Sequence, residues 1–314
     1  MYRIGVDLGG TNIAVGLVNE EHQIVKKVSA PTGAQRTADA ISADIAALCL
    51  KVCEEANITM KEVVCVGIAT PGIANEDTGA VEYSCNLPFR KYPLAQTVGD
   101  ILNFDNVRIA NDANAAALGE AVAGAAKGTK HSMMITLGTG VGGGLILNGK
   151  IYAGFNHAGG ELGHVVIEMD GALCGCGRRG CWEAYSSATA LIRMTKEKIE
   201  ECRAEGRETV MANVSKVSGR TACDAMRQGD AAGKEVYDLY VKYLACGLTN
   251  MINIFRPEVI SLGGGVSGEG QSLIDALLPY IRKEQYGGDV VEHTQLRIAQ
   301  LGNDAGIIGA AMLG

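Results

Sequence analysis

The sequence predicts an α/β protein of two lobes, and three observations lead to this. Apolar strand patterns alternate with helical stretches along the chain. A single core seldom serves 314 residues, since domains usually have roughly 50–200. Two glycine-rich hairpin patterns, at 3–19 and 135–149, share one layout, because a shift of 129 positions brings Gly9 onto Gly138. We therefore expect an internally duplicated chain whose two lobes meet at a cleft.

Each predicted element follows from a local pattern. The first hairpin alternates apolar residues on either side of a glycine pair, which is typical of two strands joined by a tight turn. Thr70-Pro71-Gly72 has turn-forming residue types. The segment 303–313 begins with capping residue types and continues with small apolar residues, which predicts a final helix. Similar patterns predict helices at 38–57, 189–203 and 234–254, and strands at 63–68, 107–110 and 259–262.

Composition and charge exclude several classes of protein. A net charge of −7 argues against a general affinity for nucleic acid, whose phosphates require clustered Lys and Arg. No apolar run approaches the roughly 18 residues of a membrane span, and no basic segment leads into an apolar one at the amino terminus. Seven of the ten cysteines are scattered through apolar segments, which does not suggest a secreted disulfide scaffold. We expect a cytoplasmic protein with neither a nucleic-acid nor a membrane partner.

Glycine is the unusual part of the composition, since 42 of 314 residues is nearly twice the usual share of about 7%. The segment GTGVGG at 138–143 fits the GxGxxG pattern of dinucleotide-binding proteins, but a strand pattern follows its last glycine where that motif requires a helix. Glycine- and threonine-rich turns still offer backbone N–H groups to a polyphosphate with few side chains in the way. The alternative is that these glycines only tighten two hairpins.

The segment NDANAAALGE begins at Asn111, between a predicted strand and a predicted helix. Strand-to-helix junctions of this kind commonly carry catalytic groups in α/β proteins. A carboxylate at Asp112 has the chemistry to accept a hydroxyl proton during phosphoryl transfer, and a helix amino terminus favours its charged form. Asn and Asp are also preferred helix caps, so this stretch alone leaves the catalytic and the capping interpretation open.

The densest group of cysteines is CGCGRRGCWE, at 174–183. Cys174, Cys176 and Cys181 lie within eighteen residues of His164, which adds a fourth ligand. Three thiolates and an imidazole suit tetrahedral Zn²⁺, and four protein ligands leave no position for a reactive water. The sequence therefore predicts a structural Zn²⁺ site, with a disulfide or free thiols as the alternative.

Two carboxylates flank these predicted metal ligands. Glu161 precedes His164 by three residues, and Glu183 follows Cys181 by two, so a metal-fixed turn would hold both rigidly. Carboxylates accept pairs of hydroxyl hydrogen bonds, and His164 can bind a metal through one ring nitrogen while presenting the other to a ligand. This arrangement predicts a sugar site. The alternative for each glutamate, taken singly, is a solvated surface charge.

With these motifs assembled, the chain resembles the ROK family (repressor, open reading frame, kinase) of sugar kinases, and within it the bacterial glucokinases. The segments DLGGTN, NDANAAALGE, GTGVGGGLI, GGELGH, CGCGRRGCWE and LGGGVS follow the family's order over nearly the whole chain. The resemblance implies a two-lobed, actin-like ATPase fold related to ribonuclease H, with a central nucleotide and sugar cleft. The small α/β lobe would comprise residues 1–110 plus 299–314, and the large α/β lobe residues 111–298 with the zinc motif.

The resemblance also implies an activity, the ATP-dependent phosphorylation of glucose at its 6-hydroxyl with Asp112 as general base. Asp7 would help to position Mg²⁺ through water, and Gly264 and Gly265 would face the adenosine of ATP. The phosphates would lie against Gly9, Gly10, Thr11, Asn12, Gly138 and Thr139. The residues implied to bind the sugar are Asn86, Asn111, Asp112, Glu161, His164 and Glu183.

Several alternatives stay open within the resemblance. The alternatives to glucose as the acceptor are N-acetylmannosamine, N-acetylglucosamine, allose and fructose. The alternative to ATP as the phosphoryl donor is polyphosphate. The family also contains sugar-sensing transcriptional regulators, but the first predicted strand begins at residue 3, so we expect no preceding DNA-binding domain. The resemblance suggests a homodimer or a dimer of dimers, although no sequence pattern marks an interface.

Overall fold

The computed structural model describes residues 1–314 and contains two compact units. Unit 1 comprises Met1–Met134, Gly144–Gly160 and Ala299–Gly314, and unit 2 comprises Ile135–Gly143 and Glu161–Ile298. No helix has the length and apolar character needed to cross a lipid bilayer. These units differ from the predicted lobes, because the helix that follows Asn111 packs against the carboxyl-terminal helix and so belongs to unit 1.

Unit 1 is built on a five-stranded sheet and a smaller three-stranded sheet. The eight strands are β1 (Tyr2–Leu8), β2 (Asn12–Val18), β3 (Ile24–Pro31), β4 (Val63–Thr70), β5 (Ile73–Asn75), β6 (Ala80–Tyr83), β7 (Arg90–Tyr92) and β8 (Val107–Asn111). The large sheet has the order β3-β2-β1-β4-β8, in which β1 to β3 are antiparallel and β4 and β8 run parallel to β1. The small sheet, β5-β6-β7, was not predicted, since its strands are too short to show a period.

A second five-stranded sheet has the order β11-β10-β9-β12-β13, and the chain passes between the two units within β9 and β10. The strands are β9 (Ser132–Leu137), β10 (Val141–Leu147), β11 (Lys150–Ile151), β12 (Val259–Gly263) and β13 (Gln295–Ile298). β12 and β13 are parallel. Both predicted glycine hairpins are confirmed, because β1 and β2 flank the first glycine pair and β9 and β10 flank the second.

Nine helices complete the two units, and the predicted ones are confirmed within a few residues. Thr37, Ser187 and Asp230 cap three of them by accepting backbone N–H bonds. The helices are α1 (Ala38–Glu55), α2 (Leu94–Leu102), α3 (Asp112–Val122), α4 (Glu183–Ser186), α5 (Ala188–Glu205), α6 (Thr221–Arg227), α7 (Ala231–Phe255), α8 (Gln271–Glu284) and α9 (Ala305–Ala311). Short 3-10 turns occur at Met60–Glu62, Leu162–His164, Val210–Asn213, Gly265–Glu269, Gly288–Val290 and Gly302–Asp304.

The two faces of the large sheet in unit 1 are covered differently. Helices α1 and α2 pack on one face, where buried β-strand residues such as Ile4 and Val6 form the main core with them. Helix α9 packs on the other face, so close that a Cβ on Gly5 would lie 1.8 Å from the carbonyl oxygen of Ile307. A Cβ on Gly67 would likewise lie 1.7 Å from the carbonyl oxygen of Ala310. Glycine is therefore required at both strand positions.

Candidate active site

The first glycine turn joins β1 to β2 in unit 1. The N–H of Gly9 donates to the carbonyl oxygen of Asn12 at 2.9 Å, and the hydroxyl of Thr32 donates to the carbonyl oxygen of Gly9 at 2.6 Å. Gly10, Thr11 and Asn12 are exposed, so the N–H groups of this turn are accessible. A Cβ on Gly10 would lie 3.9 Å from the Cβ of Asn86, which places this predicted sugar ligand beside the turn. Thr32 was not predicted, since nothing in its sequence context marks it as a partner of Gly9.

Asp7, near the end of β1, is a half-buried carboxyl group in the same unit. Burial raises its pKa, the nearby carboxylate of Asp112 raises it further, and the positive charge of Lys27 lowers it. A Cβ on Gly306 would lie 3.2 Å from the Asp7 carboxyl carbon, so α9 begins directly against this side chain. The negative charge of Asp112 beside Asp7 creates a region of negative potential, which a bound cation would neutralise.

The start of α3 shows which residue caps the helix. Asn111 is the N-cap, because its Oδ1 accepts from the backbone N–H of Ala113 at 2.9 Å and of Asn114 at 3.2 Å. Its Nδ2 donates to the carbonyl oxygen of Gly72 at 3.1 Å. Asp112 is then the first helical residue, exposed, with Oδ1 accepting from Ala113 at 2.9 Å. The helix therefore does not need the Asp112 carboxylate as its cap.

The second glycine turn joins β9 to β10 in unit 2. Its backbone is held from α5, since the N–H of Ala188 donates to Gly138 at 2.8 Å and the hydroxyl of Thr189 donates to Thr139 at 2.8 Å. Gly264, at φ +83°, lies against the strand that leads into this turn, where a Cβ would approach the Leu137 backbone to 2.6 Å. Gly138, Thr139, Gly264 and Gly265 thus lie in one unit, and their contact with a nucleotide stays a prediction.

The carboxylate of Glu183 connects this turn to the metal-ligand cluster. Its Oε2 accepts from the N–H of Val141 at 3.0 Å, and its Oε1 lies 3.4 Å from the Cys174 sulfur as acceptor of the thiol hydrogen. A Cβ on Gly140 would lie 2.3 Å from Oε2, so a larger residue at this position would displace the carboxylate. Glu183 is therefore neither a free surface charge nor a carboxylate with both oxygens free for a ligand.

The four predicted metal ligands form one compact cluster. One donor atom each from His164, Cys174, Cys176 and Cys181 lies within 4.8 Å of all the others. The Cys176 and Cys181 sulfurs are 3.7 Å apart, and the Cys174 sulfur is 3.7 Å from Nδ1 of His164. A tetrahedron with Zn–S bonds of about 2.3 Å has edges of about 3.8 Å. The donor set and its spacing therefore fit Zn²⁺, and all ten cysteines are free thiols, not disulfides.

The thiols of this cluster differ in how readily they lose a proton. Burial raises the pKa of the Cys174 thiol to about 12 and also raises the pKa of Cys181. The backbone N–H of Arg178 lowers the pKa of the exposed Cys176. A bound cation would supply the positive charge that stabilises the buried thiolates, so metal binding would release protons.

Glu161 and His164 stand at the amino-terminal side of the cluster, around the 3-10 turn Leu162–His164. The Nδ1 atom of His164 faces Cys174, which leaves Nε2 on the other side of the ring. Glu161 is exposed, and its carboxylate makes no hydrogen bond or ion pair. Both residues thus keep a polar atom available to a ligand, whereas Glu183 has its carboxylate engaged.

Known proteins show which family shares this arrangement. The model of the ROK family matches residues 3–314. The glucokinase of Streptomyces coelicolor is 36% identical over 99% of this chain and 96% of its own length, and that of Thermotoga maritima is also 36% identical over 99% and 96%. The crystal structure of a ROK glucokinase from Streptomyces griseus, in complex with glucose and AMPPNP, is 35% identical, covers 100% of this chain and 99% of that one, and has a TM-score of 0.77.

These matches extend over nearly the full length of the chain and so cover both units. The fold is the two-domain, actin-like ATPase fold of the solved ROK glucokinase and of a solved ROK hexokinase from Thermus thermophilus. Because the family model and the relatives cover almost the full length, this chain belongs to the ROK family.

Proposed function

We propose that this protein is a hexose kinase that transfers the γ-phosphoryl group of ATP to the 6-hydroxyl of glucose. The observation that carries the proposal is the start of α3, where Asn111 caps the helix and leaves the Asp112 carboxylate exposed, in the same unit as Asp7 and the first glycine turn. The full-length similarity to glucokinases, and to one solved with glucose and AMPPNP, supports glucose and ATP as the substrates.

The reaction proposed is an in-line displacement. The 6-hydroxyl oxygen forms a bond to the γ-phosphorus, the bond from that phosphorus to the bridging oxygen of ADP breaks, and the hydroxyl proton moves to Asp112. Backbone N–H groups of the turns at 9–12 and 138–140 would stabilise charge on the phosphates. Mg²⁺, when bound, supplies further positive charge, and Asp7 would orient it. Gly264 and Gly265 would contact the adenosine.

The side chains proposed to bind the sugar differ in how many hydrogen-bond donors and acceptors they have available for a ligand. Glu161 has both carboxylate oxygens available and His164 has Nε2. Asn111 retains one amide hydrogen, since both acceptor positions of its oxygen and one hydrogen of its Nδ2 are used within the protein. Glu183 would bind a hydroxyl only alongside its bond to Val141. Asn86 completes the proposed set from its place beside Gly10.

We further propose that His164, Cys174, Cys176 and Cys181 hold Zn²⁺ in a structural role. The spacing of the four donors supports this, since four protein ligands would complete a tetrahedral Zn²⁺ site and leave no position for a substrate or a reactive water. The ion would keep the turn from Glu161 to Glu183 in one conformation. A cytoplasmic homodimer, or a dimer of dimers, is the accompanying proposal for the working state.

A phosphorylation assay over a panel of sugars and donors tests this function. Purified protein with Mg²⁺ is given glucose, fructose, allose, N-acetylmannosamine or N-acetylglucosamine, with ATP or polyphosphate as donor, and the product is identified by ³¹P and ¹³C NMR. We expect glucose 6-phosphate from ATP at the highest kcat/KM. Equal rates on glucose and the acetylated sugars would overturn the glucose assignment, and no phosphorylation of any hexose would overturn the kinase assignment.

A further inference from the structure

Asn114, in the first turn of α3, has a buried side chain without a partner. The residue is only 4% exposed, and although its backbone N–H bonds to Asn111, its carboxamide makes no hydrogen bond. The amide atoms of Asn114 keep a small accessible area. They differ in this from the unpaired side-chain atoms that are wholly buried, which are Ser84 Oγ, Ser186 Oγ, Thr249 Oγ1 and Arg256 Nη1. The carboxamide is therefore both unpaired and still within reach of a small polar group.

The surroundings of this carboxamide place it at the proposed sugar site. It lies two residues after Asp112 and behind Gly144 of β10, where a Cβ would come within 3.1 Å of the Asn114 Cα. On its other side is Gly160, at φ +88°, where a Cβ would lie 3.9 Å from the Asn114 Oδ1. Gly160 immediately precedes Glu161 in the chain. The amide oxygen thus lies beside the backbone that carries one proposed sugar ligand, on the helix that begins with the proposed base.

A buried carboxamide requires partners for its two N–H donors and its acceptor oxygen, and native proteins rarely leave such groups unsatisfied. Asn111 does not have the same need, because the helix cap and Gly72 already use most of its capacity. A sugar hydroxyl can both donate and accept a hydrogen bond. It can therefore pair with either the N–H groups or the oxygen of the carboxamide, unlike a group that only donates or only accepts.

We infer that Asn114 binds a hydroxyl of the hexose, as a further substrate-binding residue next to Asp112 and the Gly160–Glu161 backbone. The inference rests on the proposed function and goes beyond it by assigning a contact that the family motifs did not supply. The inference gives three residues of the NDAN segment different roles. Asn111 caps the helix, Asp112 accepts the proton of the reacting hydroxyl, and Asn114 binds a second hydroxyl.

The test is a binding cycle with deoxy sugars and no nucleotide. Isothermal calorimetry gives the Kd of the wild type and of Asn114→Ala for glucose and for its 1-, 2-, 3- and 4-deoxy analogues. We expect Asn114→Ala to weaken glucose by about 5- to 10-fold, the size of one neutral hydrogen bond. One analogue, which lacks the hydroxyl that Asn114 holds, should bind the variant and the wild type equally.

Controls separate this contact from a structural effect. Asn106→Ala removes another unit 1 amide, which donates to the Val64 carbonyl at 2.7 Å, and should lower stability while leaving the deoxy-sugar pattern unchanged. Asn114→Ser gives the same readout if the alanine variant does not fold. An equal loss for every sugar, or no loss for glucose, overturns the inference while the kinase proposal stands. A wild type that binds no hexose overturns both.

Discussion

The start of α3 in unit 1 and the turn from Glu161 to Glu183 in unit 2 both present carboxylates, but they are held in different ways. At α3 the supporting bonds come from the backbone, through the Asn111 cap and the helix itself. In the turn they come from side chains, with four donor atoms gathered around one point and Glu183 attached to one of them. The first arrangement is complete within the protein, whereas the second would be complete only with the proposed Zn²⁺.

This difference predicts how each region should respond to substitution of its residues. The Asp112 carboxylate can change its chemistry with little effect on the helix, because Asn111 provides the N-cap. A group supported by a metal depends on all four ligands at once, since three remaining ligands bind the ion more weakly and release the turn. Loss of chemistry and loss of structure should therefore separate between the two regions.

The largest effect is expected from Asp112→Asn. Removal of a general base lowers kcat by about 10²- to 10⁴-fold. Because Asn111 caps the helix, the melting temperature and the Kd for glucose should stay close to those of the wild type. Stopped-time assays give kcat, and calorimetry gives the Kd. The control Asp105→Asn removes an exposed carboxylate elsewhere in unit 1. A kcat within threefold of the control, on the order of an ordinary surface substitution, would remove Asp112 from the role of base.

The second effect concerns the metal-dependent region. Cys176→Ser should lower zinc content well below one ion per chain and destabilise the protein by about 4 kcal/mol, the linkage expected for a ligand present at a thousand times its Kd. Glucose affinity should fall with it, because Glu161 and His164 lose their fixed positions. Inductively coupled plasma mass spectrometry measures the zinc. Cys85→Ser, an exposed cysteine outside the cluster, is the matched control. Full activity in a wild type without zinc would contradict the structural site.

A third effect tests whether α3 is independent of the metal. Glu120, near the end of α3, is fully buried, with Oε1 accepting from Gln300 and Leu301 at 2.9 and 2.8 Å and Oε2 accepting from Ala125 at 2.7 Å. Glu120→Gln turns an NH₂ group toward one of these donors and should destabilise the protein by about 1–3 kcal/mol. Chemical denaturation measures this, with exposed Glu54→Gln as the control. An equal loss with and without zinc supports independence, and a loss that depends on zinc contradicts it.

The two regions also differ in how well the sequence predicts them. The metal ligands lie within eighteen residues of one another, so their clustering follows from spacing and thiol chemistry. At α3 the local sequence offers Asn111 and Asp112 equally as caps, and only the fold shows that the helix begins after Asn111. The fold class, the duplicated glycine hairpins and most helices were predictable for the first reason, since their patterns are local.

Long-range contacts mark the limit of that prediction. Nothing near Glu183 in the sequence indicates that the N–H of Val141 bonds to it, because the two residues are 42 positions apart. The glycines inside β1 and β4 interrupt strand patterns for a reason that appears only when α9 returns to unit 1 and approaches Gly5 and Gly67. Asn114 could not be predicted as a binding residue, because no local sequence pattern shows whether the side chain of a helical asparagine has a hydrogen-bond partner.

The smallest effect is expected from Asp7→Asn, which tests the carboxylate pair of unit 1. The pKa of Asp7 is raised by burial and by Asp112, so the folded protein binds a proton more tightly than the unfolded chain does. Stability is then lost as the pH rises from the ordinary pKa of 3.8 through the raised value, and the cost persists at neutral pH. The ligand-free variant should therefore melt about 2–4 °C higher at pH 7, the shift that 1 kcal/mol gives, with a gain that shrinks toward pH 4.

Phosphoryl transfer by the same variant should fall, because a neutral amide in place of the Asp7 carboxylate would no longer attract Mg²⁺. Substitution of Asp7 would thus raise stability and lower activity, whereas substitution of Cys176 would lower both. The reason is that the Asp7 carboxylate would be used only when Mg²⁺ is bound, whereas the Cys176 thiolate would be bonded to a resident Zn²⁺. Scanning calorimetry from pH 4 to pH 7.5, with and without Mg²⁺ and nucleotide, measures both sides. A variant that melts lower than the wild type at pH 7 would show that the ionised Asp7 supports the fold.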